Sequence, residues 1–416
     1  MKFGGGLMDN ASSIKTVKTL IEEYSCDPLV VVVSALGKST NKLEKLYLLS
    51  LKGNDFDHDF QELKQYHFSI AQDIMPSLPE ELGTNFSILF ENLWAALNSR
   101  YNDRYEAYDS IVSIGEELSS CLIYHYLNYS KIKVKLVSAK ELIITNNNFT
   151  DASVNWDLTS SSVVSNIVPL LNNREVVITQ GFIGSEINGK TTTLGREGSD
   201  FTAAILGNIL DADEVTIWKN VPGLMNSDPA RFSNSVKLDT LSYHEAIELA
   251  YYGASIIHPK TIQPLKQKNI PLYVRPYYNS SLSATSITQN TANDGELPCI
   301  IVKDNQVLLS INTLNLSFIE EENLKNIFEA FSKNKIHINL MQNSAVSFSV
   351  CFNEDLVKLD ALLLDLKEKF VLKYNTGLQL ITIRHYNDKL VDELVGDKEV
   401  YLVQKSRVTV QVLLKT

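Results

Sequence analysis

The sequence predicts an α/β fold in which helices sandwich a mostly parallel open sheet, followed by a smaller ferredoxin-like α+β domain. Two observations carry this prediction. Short apolar runs alternate with helical patterns through about the first two-thirds of the 416 residues. After about residue 300, strand and helix patterns follow the order βαββαβ, and a stretch rich in Ser, Thr and Asn separates the two regions.

The first region begins with a helix, a strand and a second helix. Residues 13–24 place apolar side chains on one helical face, which predicts an amphipathic helix. Residues 29–33 are apolar without polar alternation, as in a strand that is buried on both faces. The same reasoning predicts helices over 41–51, 113–127, 199–210 and 243–252, and strands over 134–137, 176–179 and 215–218. This alternation favours a mostly parallel sheet that is covered on both sides.

The composition shifts to Ser, Thr and Asn between residues 278 and 294, which predicts a linker. We therefore expect a first domain over 1–277, a linker over 278–298 and a second domain over 299–416. The second domain is predicted to contain strands over 307–311, 337–343, 346–352 and 378–385 and helices over 320–331 and 356–370. Its shorter tail is predicted to contain a helix over 388–394, strands over 400–403 and 408–414, and a turn over 404–407.

Composition narrows the range of functions. The chain is 44% hydrophobic and 21% charged, as in a globular protein, and its formal net charge is −11. That charge argues against nucleic acid or an anionic membrane as the main partner. The longest apolar runs are too short to span a bilayer and no signal-peptide pattern is present, so we expect a cytoplasmic protein. The four cysteines form no CxxC pair and the histidines no HExxH motif, so no metal site is expected in the protein itself.

Three glycine-bearing loops are candidates for a phosphoryl-transfer site, which needs backbone amides and cations around phosphate oxygens. The first loop is residues 2–6, where Lys2 and Phe3 precede three glycines. Glycines let the backbone approach a phosphate closely, and Lys2 would add a positive charge. A glycine triplet after a short strand is a weak signal by itself.

The second loop, residues 34–41, lies between a buried strand and a helix, where open sheets bind ligands. Its Gly37-Lys38-Ser39 stretch resembles the end of a P-loop, but Val32 stands where that motif requires glycine. The loop is therefore not a Walker motif. A simple helix N-cap at Ser39 or Thr40 is an alternative explanation.

The third loop, Gly195–Asp200, opens a predicted helix. Arg196 can bind a carboxylate through two parallel hydrogen bonds. The residues that follow lie where unpaired amides and the helix dipole favour an anion. An ordinary loop capped by Ser199 or Asp200 is the alternative.

These loops and several further motifs resemble those of the aspartate kinases of the amino-acid kinase superfamily, and the resemblance covers nearly the whole chain. The matching segments, in chain order, are 2–5, 34–41, 115–119, 179–184, 194–200, 221–223, 228–229, 253–254 and 258–259. The resemblance implies ATP-dependent phosphorylation of the side-chain carboxylate of L-aspartate to 4-phospho-L-aspartate, the first step of the lysine, threonine and methionine pathway. The alternatives are a related amino-acid kinase and a catalytically weak amino-acid sensor.

The resemblance also implies roles for individual residues. Glu116 and Arg196 would bind the amino group and the α-carboxylate of aspartate, and the same pocket would be lined by Thr40, Phe182 and Ser199. Lys2 would neutralise the transferring phosphoryl group, and Asp200 would orient Lys2 or the metal. ATP would be bound by Gly4, Gly5, Trp218, Lys219, Asn220, Gly223, Arg231 and Lys260, and Mg²⁺ would bind through its phosphates.

Residues from about 300 onward resemble a pair of ACT regulatory modules, of which the second is abbreviated. The resemblance implies a homodimer built through this region and an amino-acid effector such as lysine or threonine. The residues Gly6-Leu7, Asn220 and Ser255 depart from the family pattern, in which Thr or Ala followed by Ser, then Asp, then a nucleotide-binding Lys are common at these positions. Lys260, one turn beyond Ser255, is a candidate to replace that lysine.

Overall fold

A computed structural model describes residues 1–254, 257–314 and 317–415 of the chain. Ser255 lies outside the described residues. Two units can be distinguished among the described residues. The first comprises Met1–Leu224, Lys237–Ile247 and the described part of 256–292; the second comprises Met225–Val236, the described part of 248–255 and that of 293–416.

The first part of the chain alternates strands and helices, as predicted. The strands are β1 (Lys2–Phe3), β2 (Val30–Val33), β3 (Val134–Leu136), β4 (Ile144–Thr145), β5 (Val176–Gln180), β6 (Ile183–Glu186), β7 (Thr191–Thr193), β8 (Val215–Lys219), β9 (Leu224–Met225), β10 (Lys237–Leu238), β11 (Thr240–Ser242), β12 (Leu272–Pro276) and β13 (Thr285–Thr288). The helices are α1 (Ala11–Tyr24), α2 (Ser39–Leu51), α3 (Asp57–Ile74), α4 (Glu80–Asn98), α5 (Arg104–Tyr129), α6 (Ala139–Leu142), α7 (Trp156–Asn172), α8 (Gly198–Ile209), α9 (Tyr243–Tyr252) and α10 (Pro259–Lys268).

An eight-stranded sheet with the order β11-β13-β12-β8-β1-β2-β5-β3 forms the centre of the first unit. The pairs that include β1, β2, β5 and β8 are parallel, and β2 and β5 are almost wholly buried, which explains their lack of polar alternation. The predicted linker over 278–298 is wrong for 285–288. These residues form β13, which pairs with β11 and β12, because alternate residues such as Ile287 are buried.

Helices α3 and α4 were not predicted, although both carry apolar residues at helical spacing. Their buried residues include Phe60, Leu63, Ile70 and Ile74 on α3 and Leu82, Phe86, Phe90 and Leu93 on α4. Helix α5 also begins earlier than predicted, because Asp103 caps it by accepting a hydrogen bond from the backbone N–H of Tyr105. These helices share one hydrophobic core with β1, β2 and β5.

The second unit contains β14 (Cys299–Thr313), α11 (Glu321–Lys333), β15 (Ile338–Asn343), β16 (Ser347–Asn353), α12 (Leu356–Leu366), β17 (Phe370–Arg384), α13 (Asp388–Val395), β18 (Val400–Lys405) and β19 (Thr409–Lys415). Its antiparallel sheet has the order β15-β16-β14-β17-β19-β18. The first four strands and two helices have the predicted ferredoxin-like order. The predicted turn over 404–407 is wrong at its start, because Gln404 and Lys405 belong to β18.

The long strands β14 and β17 pair with each other at the centre of this sheet, and the register of their pairing shifts between Lys303 and Leu308. The predicted helix over 356–370 ends at Leu366, and Phe370 already begins β17. Among the helices of the residues that the structure describes, none combines the length and apolarity needed to cross a lipid bilayer.

Candidate active site

Two lysines approach one buried carboxylate at the carboxyl edge of the parallel sheet. Lys2 Nζ lies 2.8 Å from Oδ1 of Asp200, in the first turn of α8, and the side chains of these residues are 11% and 4% exposed. Lys219 Nζ, at the end of β8, lies 3.9 Å from Oδ2 of Asp200. Oδ1 accepts no hydrogen bond from a described group, so its attraction to Lys2 is that of an ion pair. The structure therefore brings Lys2, Lys219 and Asp200 together.

The first and second loops are in direct backbone contact. The backbone N–H of Gly37 donates a hydrogen bond to the carbonyl of Gly5 at 3.0 Å. A Cβ atom on Gly5 would lie 2.2 Å from the carbonyl oxygen of Ala35, and one on Gly4 would lie 3.3 Å from Lys2 Nζ. Residue 5 must therefore be glycine for the two loops to approach each other.

The end of the second loop, at the start of α2, contacts α3. Helix α2 begins at Ser39 with Lys38 as the N-cap residue and no side-chain cap, so the alternative explanation of this loop as an N-cap at Ser39 or Thr40 is wrong. Ser39 is instead buried, with its hydroxyl 3.5 Å from Nε2 of His67 on α3. Thr40 is partly buried at the start of the same helix.

Glu116 lies on α5 and is 3% exposed. Burial raises the pKa of its carboxyl to about 8, although a hydrogen bond from the backbone N–H of Ala35 and the charge of Lys2 lower it. Its Oε2 atom has no hydrogen-bond partner among the described residues. A buried carboxylate without a full set of partners is suited to bind a cationic group of a ligand.

The third loop has a conformation that depends on two residues with positive φ. Gly195 has φ of 78°, and its added Cβ would lie 2.7 Å from Oδ1 of Asp151. Glu197 is the N-cap residue of α8 with φ of 54° and makes no side-chain cap; its carboxylate accepts a hydrogen bond from the backbone N–H of His258 at 2.8 Å. The alternative in which Ser199 or Asp200 caps the helix is therefore wrong.

The predicted substrate residues around this loop differ in exposure: Ser199 is buried, Phe182 is partly buried and Arg196 is exposed. Ser199 is buried against Gly181, where an added Cβ would lie 2.4 Å from the Ser199 Cβ. Phe182 has φ of 71°, and its backbone N–H donates to the hydroxyl of Thr202 at 3.1 Å. Arg196 is exposed and makes no ion pair with the part of the chain that the structure describes, so its guanidinium is available to a ligand.

Asp109 is a buried acid of the site that the sequence analysis missed. Its carboxylate accepts hydrogen bonds from the backbone N–H of Thr150 at 3.0 Å and from the N–H and hydroxyl of Thr193 at 2.9 and 2.8 Å. It lies two helical turns before Glu116 on the same helix. A signal was available, because an acid seven residues before another buried acid shares its helical face.

Three of the predicted nucleotide residues already have partners within their own unit. The side chain of Trp218 is 1% exposed and stacks on Phe3, so this side chain belongs to the core, and nucleotide binding by residue 218 stays a prediction. Arg231 belongs to the second unit and donates two hydrogen bonds to Asp304. Lys260 forms an ion pair with Asp151.

The remaining nucleotide residues lie near the end of β8. Asn220 follows Lys219 directly and is exposed. Gly223 has φ of 155°, and an added Cβ would lie 2.5 Å from the hydroxyl of Thr285. The close approach of Thr285 therefore requires a residue without a side chain at position 223.

A surface group on α3 has ligand atoms close enough to hold a metal ion: His58, Asp59 and Glu62. Lys45 Nζ lies 2.6 Å from Asp59 and Lys42 Nζ lies 2.8 Å from Glu62. Because lysines already neutralise both carboxylates, we assign no metal to this group.

Comparisons with known proteins agree with this geometry. The model of the amino acid kinase family matches residues 1–276. Lysine-sensitive aspartokinase 3 of Escherichia coli K12 is 28% identical over 398 residues, which cover 92% of this chain and 86% of that protein. Chloroplastic aspartokinase 3 of Arabidopsis thaliana is 30% identical over 84% of this chain, but the match spans only 63% of the plant protein.

Solved structures are similar over the whole chain. The complex of E. coli aspartokinase III with aspartate and ADP has a TM-score of 0.85 and 25% identity, and covers 100% of this chain and 95% of that one. The complex of the same enzyme with lysine and aspartate has a TM-score of 0.82, 25% identity and the same coverage. From the family model over residues 1–276 and the loops that surround Lys2 and Asp200, we conclude that the chain belongs to the amino acid kinase family.

Proposed function

We propose that the protein is an aspartate kinase, which transfers the γ-phosphoryl group of ATP to the side-chain carboxylate of L-aspartate. The observation that carries this proposal is the buried Glu116 carboxyl, which lacks a partner at Oε2 and lies within the electrostatic influence of Lys2. A buried acid beside a phosphoryl-binding lysine fits a substrate that carries an ammonium group. The similarity to the aspartokinase that was solved with aspartate and ADP supports the same substrates.

The chemistry requires positioning and charge neutralisation rather than a general base. The aspartate side chain is ionised at neutral pH and is already a nucleophile. Glu116 would bind its α-ammonium group and Arg196 its α-carboxylate, with Thr40, Phe182 and Ser199 around it. Lys2 would neutralise charge on the transferring phosphoryl group, while Asp200 holds Lys2 in place.

Mg²⁺ fits this site as a companion of ATP. The ion would neutralise charge on the phosphate oxygens when it is bound. Asp200 is the carboxylate at this edge of the sheet, but two lysines already approach it. We therefore propose that the ATP phosphates hold the ion and that Asp200 orients Lys2, as its ion pair with that lysine allows.

We further propose a catalytic domain over 1–277 and a regulatory domain over 299–416 that binds an amino-acid effector and forms a homodimer. The ferredoxin-like order of the second unit supports this proposal, as does the E. coli enzyme that was solved with lysine. Lysine and threonine are the effectors to test. A cytoplasmic location is also proposed, because all four cysteines are free thiols.

The direct test combines ADP release with hydroxylamine trapping of the acyl phosphate. We expect hydroxamate to form from L-aspartate and Mg-ATP and not from L-glutamate or N-acetylglutamate, and we expect no ADP release with UMP. An absence of hydroxamate at millimolar aspartate would refute the activity. Hydroxamate from N-acetylglutamate or glutamate alone would instead identify a related amino-acid kinase.

A further inference from the structure

Lys219 and Lys2 reach the same carboxylate because of the register between β8 and β1. Phe3 lies opposite Trp218 in this parallel pair. Because side chains alternate along strands, Phe3 and Trp218 project to one face of the sheet and the two lysines to the other. The Phe3 and Trp218 rings accordingly stack with centroids 6.0 Å apart and planes at 3°, while both lysines approach Asp200.

These three side chains leave an excess of positive charge. Asp200 carries one negative charge against two ammonium groups, and it lies in the first turn of α8, where the helix dipole adds a partial positive charge. The side chains of Lys2 and Lys219 are only 11% and 25% exposed, which weakens solvent screening. A phosphoryl group is the anion that the proposed reaction brings to this position.

Lys260, which the sequence suggests as a second cation, is already engaged elsewhere. Its Nζ atom pairs with Oδ1 of Asp151, and both side chains lie near the surface, at 37% and 62% exposure. Moving Lys260 to a phosphate would break this pair. Lys219 already lies at the Asp200 carboxylate, with its Nζ atom 3.9 Å from Oδ2 and beside Lys2.

We propose that Lys219 is a second catalytic cation, which contacts the transferring phosphoryl group together with Lys2. This inference rests on the proposed function. In the step, an oxygen of the aspartate side-chain carboxylate forms a bond to the γ-phosphorus, and the bond from that phosphorus to the β,γ-bridging oxygen breaks. The bridging oxygen keeps the electron pair and leaves as part of ADP, and no proton is transferred. Lys219 would neutralise negative charge on the non-bridging oxygens as they pass between donor and acceptor.

The test compares Lys219→Met and Lys219→Arg with wild type. We expect Lys219→Met to lower kcat by about 10²-fold, as loss of one charge-stabilising group commonly does, with KM for aspartate changed by less than about twofold. The kcat of Lys219→Arg should be at least about tenfold higher than that of Lys219→Met, because the arginine restores the positive charge. Lys18→Met is the matched control, because Lys18 is 23% exposed and also pairs with one carboxylate, Glu22. It should retain full activity.

Binding titrations separate a role at the phosphoryl group from a structural one. Lys219→Met should bind a non-hydrolysable ATP analogue about tenfold more weakly than wild type and should bind ADP within about twofold of wild type. If Lys219 had only a structural role, its replacement would lower the affinity for ADP and for the ATP analogue by similar factors. The thermal unfolding midpoint of each variant is measured beside these data, and Lys219→Gln provides a second neutral variant if the Met variant is destabilised.

Three results would overturn the inference: a kcat of the neutral variants within twofold of wild type, equal losses of ADP and ATP-analogue affinity, or a selective loss of the ATP analogue in Lys260→Met instead. Failure of the proposed function is a separate result, because wild type would then form no hydroxamate from aspartate. The titrations need no turnover, so they report on Lys219 in either case.

Discussion

The Asp109 carboxylate accepts two hydrogen bonds from Thr193, one from its backbone N–H at 2.9 Å and one from its hydroxyl at 2.8 Å. Asp109 lies on α5 with Glu116, whereas Thr193 ends β7, directly before the loop that carries Arg196. This acid therefore connects the helix of the proposed ammonium-binding residue to the loop of the proposed carboxylate-binding residue.

Replacement of Asp109 by Ala should destabilise the protein and weaken aspartate binding. It would leave the backbone N–H groups of Thr150 and Thr193 without their acceptor, and an unsatisfied buried group costs about 1–3 kcal/mol. We expect the free energy of unfolding in urea to fall by this amount and KM for aspartate to rise several-fold. Asp213→Ala, at an exposed loop position, is the control. An unchanged unfolding midpoint would show that Asp109 does not hold the loop.

Replacement of Arg196 by Ala should affect catalysis without affecting stability. Arg196 is exposed and pairs with no described carboxylate, so its loss should leave the unfolding midpoint unchanged. Loss of a charged hydrogen bond of about 1.5–3 kcal/mol should raise KM for aspartate by roughly 10- to 100-fold, with KM for ATP within about twofold. Arg100→Ala, also exposed, should behave as wild type. Unchanged kinetics in Arg196→Ala would place the substrate elsewhere.

The raised pKa of Glu116 predicts a pH dependence of aspartate binding. An ammonium ligand needs the ionised carboxylate, and burial raises the pKa of this group to about 8 in the free protein. The value of kcat/KM for aspartate should therefore rise with pH between 6 and 8, by up to about tenfold per unit. Glu116→Gln should have a much lower kcat/KM that no longer rises in this range. A wild-type profile that is flat from pH 6 to 8 would contradict the assignment.

The same group predicts the direction in which pH changes stability. Between about 4.5, the ordinary pKa of a Glu carboxyl, and about 8, the folded protein holds a proton at Glu116 that the unfolded chain releases. The folded state then binds more protons, so the free energy of unfolding should fall as pH rises through this window. Wild type should lose stability relative to Glu116→Gln between pH 5 and 8. Parallel curves for the two proteins would exclude this linkage.

The burial of Trp218 predicts that its side chain acts in stability and not in nucleotide binding. Trp218→Ala should lower the free energy of unfolding by about 3–5 kcal/mol, because it removes a large core side chain. Trp218→Phe should keep the stack on Phe3 and leave the Kd for ADP within about twofold of wild type, as measured by calorimetry. A large loss of ADP affinity in a well-folded Trp218→Phe protein would show that this side chain contributes to nucleotide binding.

The helices that the sequence analysis missed could have been predicted. Phe60, Leu63 and Ile70 on α3 have the spacing of one helical face, and so do Phe86, Phe90 and Leu93 on α4. Charged and amide residues between these positions obscured the pattern. The short strand β13 was harder to predict, because Ser and Thr dominate it and its burial comes from its neighbours β11 and β12.

The sequence by itself determined the alternation of strands and helices, the glycine loops and the identity of Lys2, Glu116, Arg196 and Asp200 as candidates, because these depend on local periodicity and residue chemistry. Only the tertiary structure decided which groups share the site. Lys219 reaches Asp200 and Trp218 enters the core because of the register between β1 and β8, which long-range packing sets. Asp109 is likewise joined to Thr193 only when α5 packs on β7, a contact between segments that are distant in the chain.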